Sequence, residues 1–310
     1  MGQPPTTITA GSATAATQSP DDALPATPPA TSPDPWVALR SHTPARIALG
    51  RSGNSLPTHE VLRFAAAHAQ ARDAVHVPLD RQLLAEQLHA SGWQTVLIQS
   101  RADSRATYLR RPDLGRRLHA DSAQQLLELA AHPASEPAPE STATATATSA
   151  SASAAPDLAL VVADGLSASA AQQHALATLQ HLRLALQASA GGALRLSPVC
   201  LAHQGRVALA DEVGALWRAR AVLILLGERP GLSSPDSLGA YLTFAPNIGR
   251  SDAERNCVSN IRPQGLPPAH AGARLAWLVL EVLRRQISGV ALKDDSAALL
   301  LAHGASQVVP

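Results

Sequence analysis

Three polar clusters in this chain follow directly on apolar runs. Asp164-Gly165 follows LALVVA, His203-Gln204-Gly205-Arg206 follows LSPVCLA, and Gly227-Glu228-Arg229-Pro230-Gly231 follows AVLILL. A carboxylate in such a place is held by a buried run, so it can accept N–H bonds with little ordering cost. Two of them, Asp164 and Glu228, could also serve as acid and base. Val207, next to Arg206, opens a helix and offers apolar surface, and Cys257 brings a thiol between Asn256 and Val258. Each has a plain alternative: a surface ion pair for Glu228 with Arg229, an inert small hydrophobe for Cys257, packing for Val207, and a turn for Asp164-Gly165. Gly227–Gly231 could suggest a phosphate cradle, but its acidic residue opposes anion binding. The sequence contains no Walker A, GxSxG, HExxH or post-strand GxGxxG motif.

The elements that must position these residues are legible in part. Periodicity predicts helices over 58–74, 81–90 and 120–132, with a short strand at 93–99 and a polar, Pro112-interrupted stretch at 105–118. Farther on, βα units follow: strands at 158–163, 196–202, 221–226 and 241–245, and helices at 170–189, 208–219 and 269–287. Unalternated apolar strands separated by helices predict an α/β domain, a Rossmann-like, mostly parallel sheet covered on both faces. Ligands of such sheets sit outside the strands' carboxyl ends. That rule gathers four loops at one rim: 164–167, 203–207, 227–231 and 246–261.

Composition sets the boundaries. Residues 1–34 are Pro, Ala, Thr and Ser with almost no large apolar side chain, and 134–156 repeat that bias. Neither can bury enough apolar surface to order itself, so a disordered tail and an internal low-complexity linker are expected. Between them lies a mainly helical region, 35–133; after them come an α/β domain, 157–294, and a tail, 295–310. A net charge of +1 and 3 % aromatic residues argue against nucleic-acid binding. The apolar runs 221–227 and 275–283 are too short to span a bilayer, and no signal peptide is read at the start. Cys200 and Cys257 form no framework and are expected as free thiols. Arginine supplies nearly every cation, Lys293 being the single lysine, which together with the alanine bias suggests a GC-rich bacterial genome.

Several ordered blocks carry a resemblance. GERPGLSSPDSLGAYLTFAP (227–246) and DAERNCVSNIRPQG (252–265) are similar to the signature of the ethanolamine ammonia-lyase small subunit. ARIALGRSGNSLPTHEVLRFAAAHAQARDAV (45–75), YLRRPDLGRRL (108–118), VVADGLSA (161–168), GRVALADEVG (205–214) and RRQISGVALKD (284–294) agree. The resemblance runs from about Pro35 to Asp294 and leaves out both low-complexity segments. It implies an adenosylcobalamin-dependent lyase that converts ethanolamine to acetaldehyde and ammonia. A large TIM-barrel subunit would carry the substrate, and this α/β subunit, inactive alone, would enclose part of the cobalamin in a hetero-oligomer of large–small pairs. It further implies that Val207, Glu228 and Cys257 are the cofactor-binding residues. No catalytic residue, protein metal ligand, nucleic acid or membrane is expected.

Gln87-Leu88-His89-Ala90-Ser91-Gly92 echoes the cobalt-binding pattern Asp-x-His-x-x-Gly. The orienting aspartate is missing, and Gly92 is explained as a helix stop. The resemblance implies location in a bacterial microcompartment or the cytoplasm. The rival readings are a stand-alone Rossmann-like enzyme using Asp164 and Glu228, and a scaffold protein of an ethanolamine-using organelle.

Overall fold

The computed structural model describes Asp34 and residues 36–43, 45–131, 155–189 and 194–296. The expected tails and linker therefore lie almost wholly outside the described residues. The chain divides into two units after Arg63. In the first, a 3-10 turn at Val37–His42 buries none of its residues. Glu60 accepts from Arg40 at 3.1 Å and Arg63 at 3.3 Å. Burial would raise its carboxyl, but these guanidinium groups hold it below the usual range. Helix α1 (Thr58–His76) begins in this unit.

The second unit carries helices α2 (Arg81–Ala90), α3 (Arg105–Arg110), α4 (Ala120–Ala131), α5 (Ala168–Ser189), α6 (Leu209–Leu216) and α7 (Pro268–Arg285). Its strands are β1 (Thr95–Gln99), β2 (Leu158–Ala163), β3 (Leu196–His203), β4 (Ala221–Gly227), β5 (Leu238–Phe244) and β6 (Arg255–Ile261). Local chemistry sets the ends of α2. The Asp80 carboxylate accepts the Leu83 N–H at 3.0 Å, and Gly92, at φ 75°, turns the chain away.

The six strands form one sheet in the order β1-β3-β2-β4-β5-β6. The first four run parallel, whereas β5 is antiparallel to both β4 and β6. β2 and β4 are buried at every position, which is why they read as continuous apolar runs. On one face Leu160, Val162, Leu223 and Leu225 join a core with Leu179 and Leu182 of α5 and Leu275 and Val279 of α7. On the other, Val161, Cys200 and Ile224 pack with Leu126 of α4 and Leu209 of α6. The architecture is thus α/β around a mixed sheet.

Two expectations need correction. The strand expected at 241–245 is Leu238–Phe244, and it runs against β4. The connection 228–237 is shorter than the roughly dozen residues that a parallel return needs, so the chain turns back on itself. Residues 255–261, expected within a loop, form the edge strand β6. Reversal of β5 also moves one loop: Phe244 pairs with Ala221, so residues 246–254 lie at the opposite end of the sheet from the carboxyl end of β4. What returns to that rim is the end of β6, where Ile261 pairs with Leu238.

Candidate functional site

At the carboxyl ends of β2, β3 and β4 a cleft of about 380 Å3 opens. Val207, Leu166, Leu226 and Tyr241 give it apolar walls, Glu228 gives it a carboxylate, and Arg206 and Arg229 bring positive charge. Tyr108 completes its lining. Apolar walls with a few convergent polar groups are the usual make-up of a small-molecule site.

Glu228 is fixed from three sides. Its backbone N–H donates to the Ser237 carbonyl at 2.9 Å, and the Ser237 hydroxyl donates to Oε2 at 2.5 Å. The Asn260 N–H approaches the same oxygen at 3.4 Å. The side chain lies across Gly239, where an added Cβ would come within 2.7 Å of Oε1. Below it the backbone is packed too tightly for side chains. Gly165, at φ 56°, would place a Cβ 2.2 Å from the Gly227 oxygen, and Gly227 would place one 1.9 Å from the Ser167 oxygen.

Asp164 has a different role. It is buried, and its carboxylate accepts the Gln204 N–H at 2.9 Å and the Gly205 N–H at 3.1 Å, closing the turn between β3 and α6. Burial pushes its carboxyl up against these bonds. It does not line the cleft with Glu228, so the pair is not arranged as acid and base around that space.

Val207 and Glu228 thus share one cleft, while Cys257 stands beside it on β6. The link is Tyr241, paired across the sheet with Cys257 on one side and Ile224 on the other. Its hydroxyl meets the Cys257 thiol. Loss of hydration, helped by the Glu228 charge, raises the thiol above its ordinary value against the pull of the Tyr241 hydroxyl. Burial likewise pushes the Tyr241 phenol up, so both groups are neutral near pH 7. By contrast, His89 of the near-motif bonds to Thr95 Oγ1 at 2.8 Å, away from this cleft.

Neither Tyr108 nor Tyr241 is marked as a site residue by the sequence, and Arg206 enters there only as part of its rim loop. Tyr241 carried a usable signal, the alternation of Leu238, Ala240 and Leu242 on the face opposite to it. Tyr108 carried none, because its place depends on contacts distant in sequence: its hydroxyl donates to the Gly205 carbonyl at 3.1 Å. Burial pushes this phenol up to about 12.

The arrangement suits a ligand with an apolar face and peripheral N–H donors for Glu228. Comparison with known proteins is specific. The family model described as ethanolamine ammonia-lyase light chain (EutC) matches residues 33–293. A relative from Pseudomonas syringae pv. tomato, named ethanolamine ammonia-lyase small subunit, is 53% identical over 264 residues, covering 85% of this chain and 84% of its own. Relatives with the same name from Ralstonia nicotianae and Xanthomonas campestris pv. campestris are each 51% identical, covering 90% and 92% of this chain and 95% and 96% of theirs. A match over most of the chain at such identity leaves one conclusion: the chain belongs to the ethanolamine ammonia-lyase light-chain, or small-subunit, family.

Proposed function

We propose that this chain is the cofactor-covering subunit of an adenosylcobalamin-dependent ethanolamine ammonia-lyase and works only with a large catalytic subunit. The observation that carries the reading is the Glu228 carboxylate, held by Ser237 at the mouth of a cleft walled by Val207. The fit is chemical. A corrin presents an apolar face and a fringe of amide side chains, and the cleft offers apolar walls, a carboxylate acceptor and arginine donors. The buried Nε of Arg206 has no acceptor among the described residues, as expected where a ligand supplies one. The cleft is smaller than the whole cofactor, which accords with a partner covering the remainder.

When bound, the cofactor supplies a cobalt–carbon bond that breaks homolytically to start radical chemistry. The residues of this chain bind and exclude. Glu228 accepts N–H bonds from amides, Val207 packs against the ligand's apolar surface, and Cys257 with Tyr241 presents neutral groups beside it. Together they keep water from the side of the cofactor they cover.

The test is reconstitution. The purified chain with cofactor and ethanolamine should form no acetaldehyde, and adding the large subunit should restore it. Cofactor titration should show much tighter binding by the pair than by the large subunit alone. Equal affinity with and without this chain would refute the covering role, and acetaldehyde from the isolated chain would refute the division of labour.

A further inference from the structure

Two guanidinium groups lie over the buried ring of Tyr108, Arg105 at 4.8 Å and Arg206 at 4.2 Å from its centroid. Like charges this close to a buried ring repel unless a negative group answers them. Their hydrogen-bond acceptors are all neutral. Arg105 donates to the Val75 carbonyl at 2.6 Å, the Gly165 carbonyl at 2.7 Å and Gln204 Oε1 at 3.2 Å. Arg206 donates to the Tyr108 carbonyl at 3.2 Å. Arg105 Nη2 and Arg206 Nε are buried without any acceptor among the described residues. Asp164, which hydrogen-bonds the N–H groups of Gln204 and Gly205, answers the Arg105 charge through space, and Glu228 is held by Ser237. Arg206 is left as the group that lines the cleft, has a buried Nε without an acceptor and forms no ion pair among the described residues.

We propose that Arg206 is a further cofactor-holding residue, donating to a phosphate oxygen of the bound ligand, with Arg105 supporting it at the Tyr108 ring. The inference rests on the cobalamin reading, in which that oxygen belongs to the phosphodiester of the nucleotide tail. Free phosphate is the other source of the same chemistry. An amide carbonyl would fill the Arg206 donor but leave its charge without a counterion, whereas a phosphate answers charge and donor together.

The test compares two corrinoids, adenosylcobalamin and adenosylcobinamide, which lacks the nucleotide tail and its phosphate. Each is titrated into the complex reconstituted with the large subunit. Arg206→Gln should weaken adenosylcobalamin about tenfold and leave adenosylcobinamide within about twofold. If that variant does not assemble, Arg206→Lys keeps the stem and charge but loses Nε, and should show the same selectivity with a loss of about threefold. An equal loss for both corrinoids, or none for either, overturns the proposal. Inorganic phosphate separates the sources: phosphate binding that persists at saturating adenosylcobalamin and disappears in R206Q assigns the site to a free anion and overturns the assignment to the cofactor. A wild-type complex that binds neither corrinoid defeats the functional reading itself, and this inference with it.

Discussion

Gly239→Ala gives the cleanest test of Glu228, because it disturbs the carboxylate without removing it. A Cβ at position 239 would lie 2.7 Å from Glu228 Oε1, 3.0 Å from Cγ and 3.2 Å from Cδ. The obstructing atoms are the far end of a flexible side chain, so the carboxylate moves and the strand does not. The backbone of Gly239 lies outside the left-handed region, so the roughly 0.5–1 kcal/mol that alanine gains there offsets the lost Ser237 bond and folding stability should change little. Displacement of the carboxylate from Ser237 spoils its aim at the ligand. Hydrogen bonds to charged groups contribute roughly 1.5–3 kcal/mol, and about 1.4 kcal/mol is tenfold in affinity. Glu228→Ala should therefore weaken adenosylcobalamin binding by roughly ten- to a hundredfold, and Gly239→Ala by about tenfold. Because both act through one carboxylate, the double variant should bind no worse than Glu228→Ala. Cofactor titration of the reconstituted complex gives the affinities, and thermal melts give stability. Unchanged affinity in Gly239→Ala, or losses that add in the double variant, would refute the reasoning.

The remaining expectations concern the thiols and a buried ion pair. Of the two cysteines Cys257 is exposed and Cys200 buried, so iodoacetamide should label Cys257 alone. Only the thiolate reacts, and the Cys257 value is raised, so labelling should be slow at pH 7 and accelerate as pH climbs through and beyond the ordinary thiol range. In the assembled complex adenosylcobalamin should slow it further; a rate indifferent to cofactor would place Cys257 outside the site. Arg255 donates to both carboxylate oxygens of Asp211 at 2.6 and 2.7 Å, with the two side chains only 3% and 1% exposed. Asp211→Ala should cost about 3–5 kcal/mol by leaving a buried guanidinium with only the exposed Asp252 carboxylate, at 3.5 Å, as its ion partner, whereas replacing both partners by apolar residues should cost much less. Urea midpoints of the folded chain decide, and a loss under about 1 kcal/mol from the single change would contradict that cost.

The parallel half of the sheet was legible because burial on both faces leaves a continuous apolar run, as in β2 and β4. Such a signal does not encode direction, so the reversal of β5 is not readable from its apolar residues. β6 was invisible for another reason. Arg255, Val258 and Ile261 are its buried residues, and a shift of register beside Ala240 breaks the alternation a strand would show. At the site, Glu228 could be placed from the strand before it, but Ser237 and Gly239, which aim it, are brought there only by the antiparallel return. Arg105 and Tyr108 are neighbours on one helix, but Arg206 reaches that ring from a segment far away in sequence, which local pattern does not encode.

β1 precedes the low-complexity segment, yet it pairs with β3, Thr95 opposite Val199 through Gln99 opposite His203. Other ties cross the same interval: Arg117 to Glu212 at 3.0 Å, and the Trp217 indole to the Leu126 carbonyl at 3.2 Å. Two stretches of polypeptide, one ending at α4 and the other beginning at β2, thus meet through side chains and a shared ladder as well as through their covalent link. A protease cut within that link would leave two pieces already docked, the behaviour of a split protein whose halves recombine. What the two halves build together is therefore specified by the residues that face one another on either side of that interval.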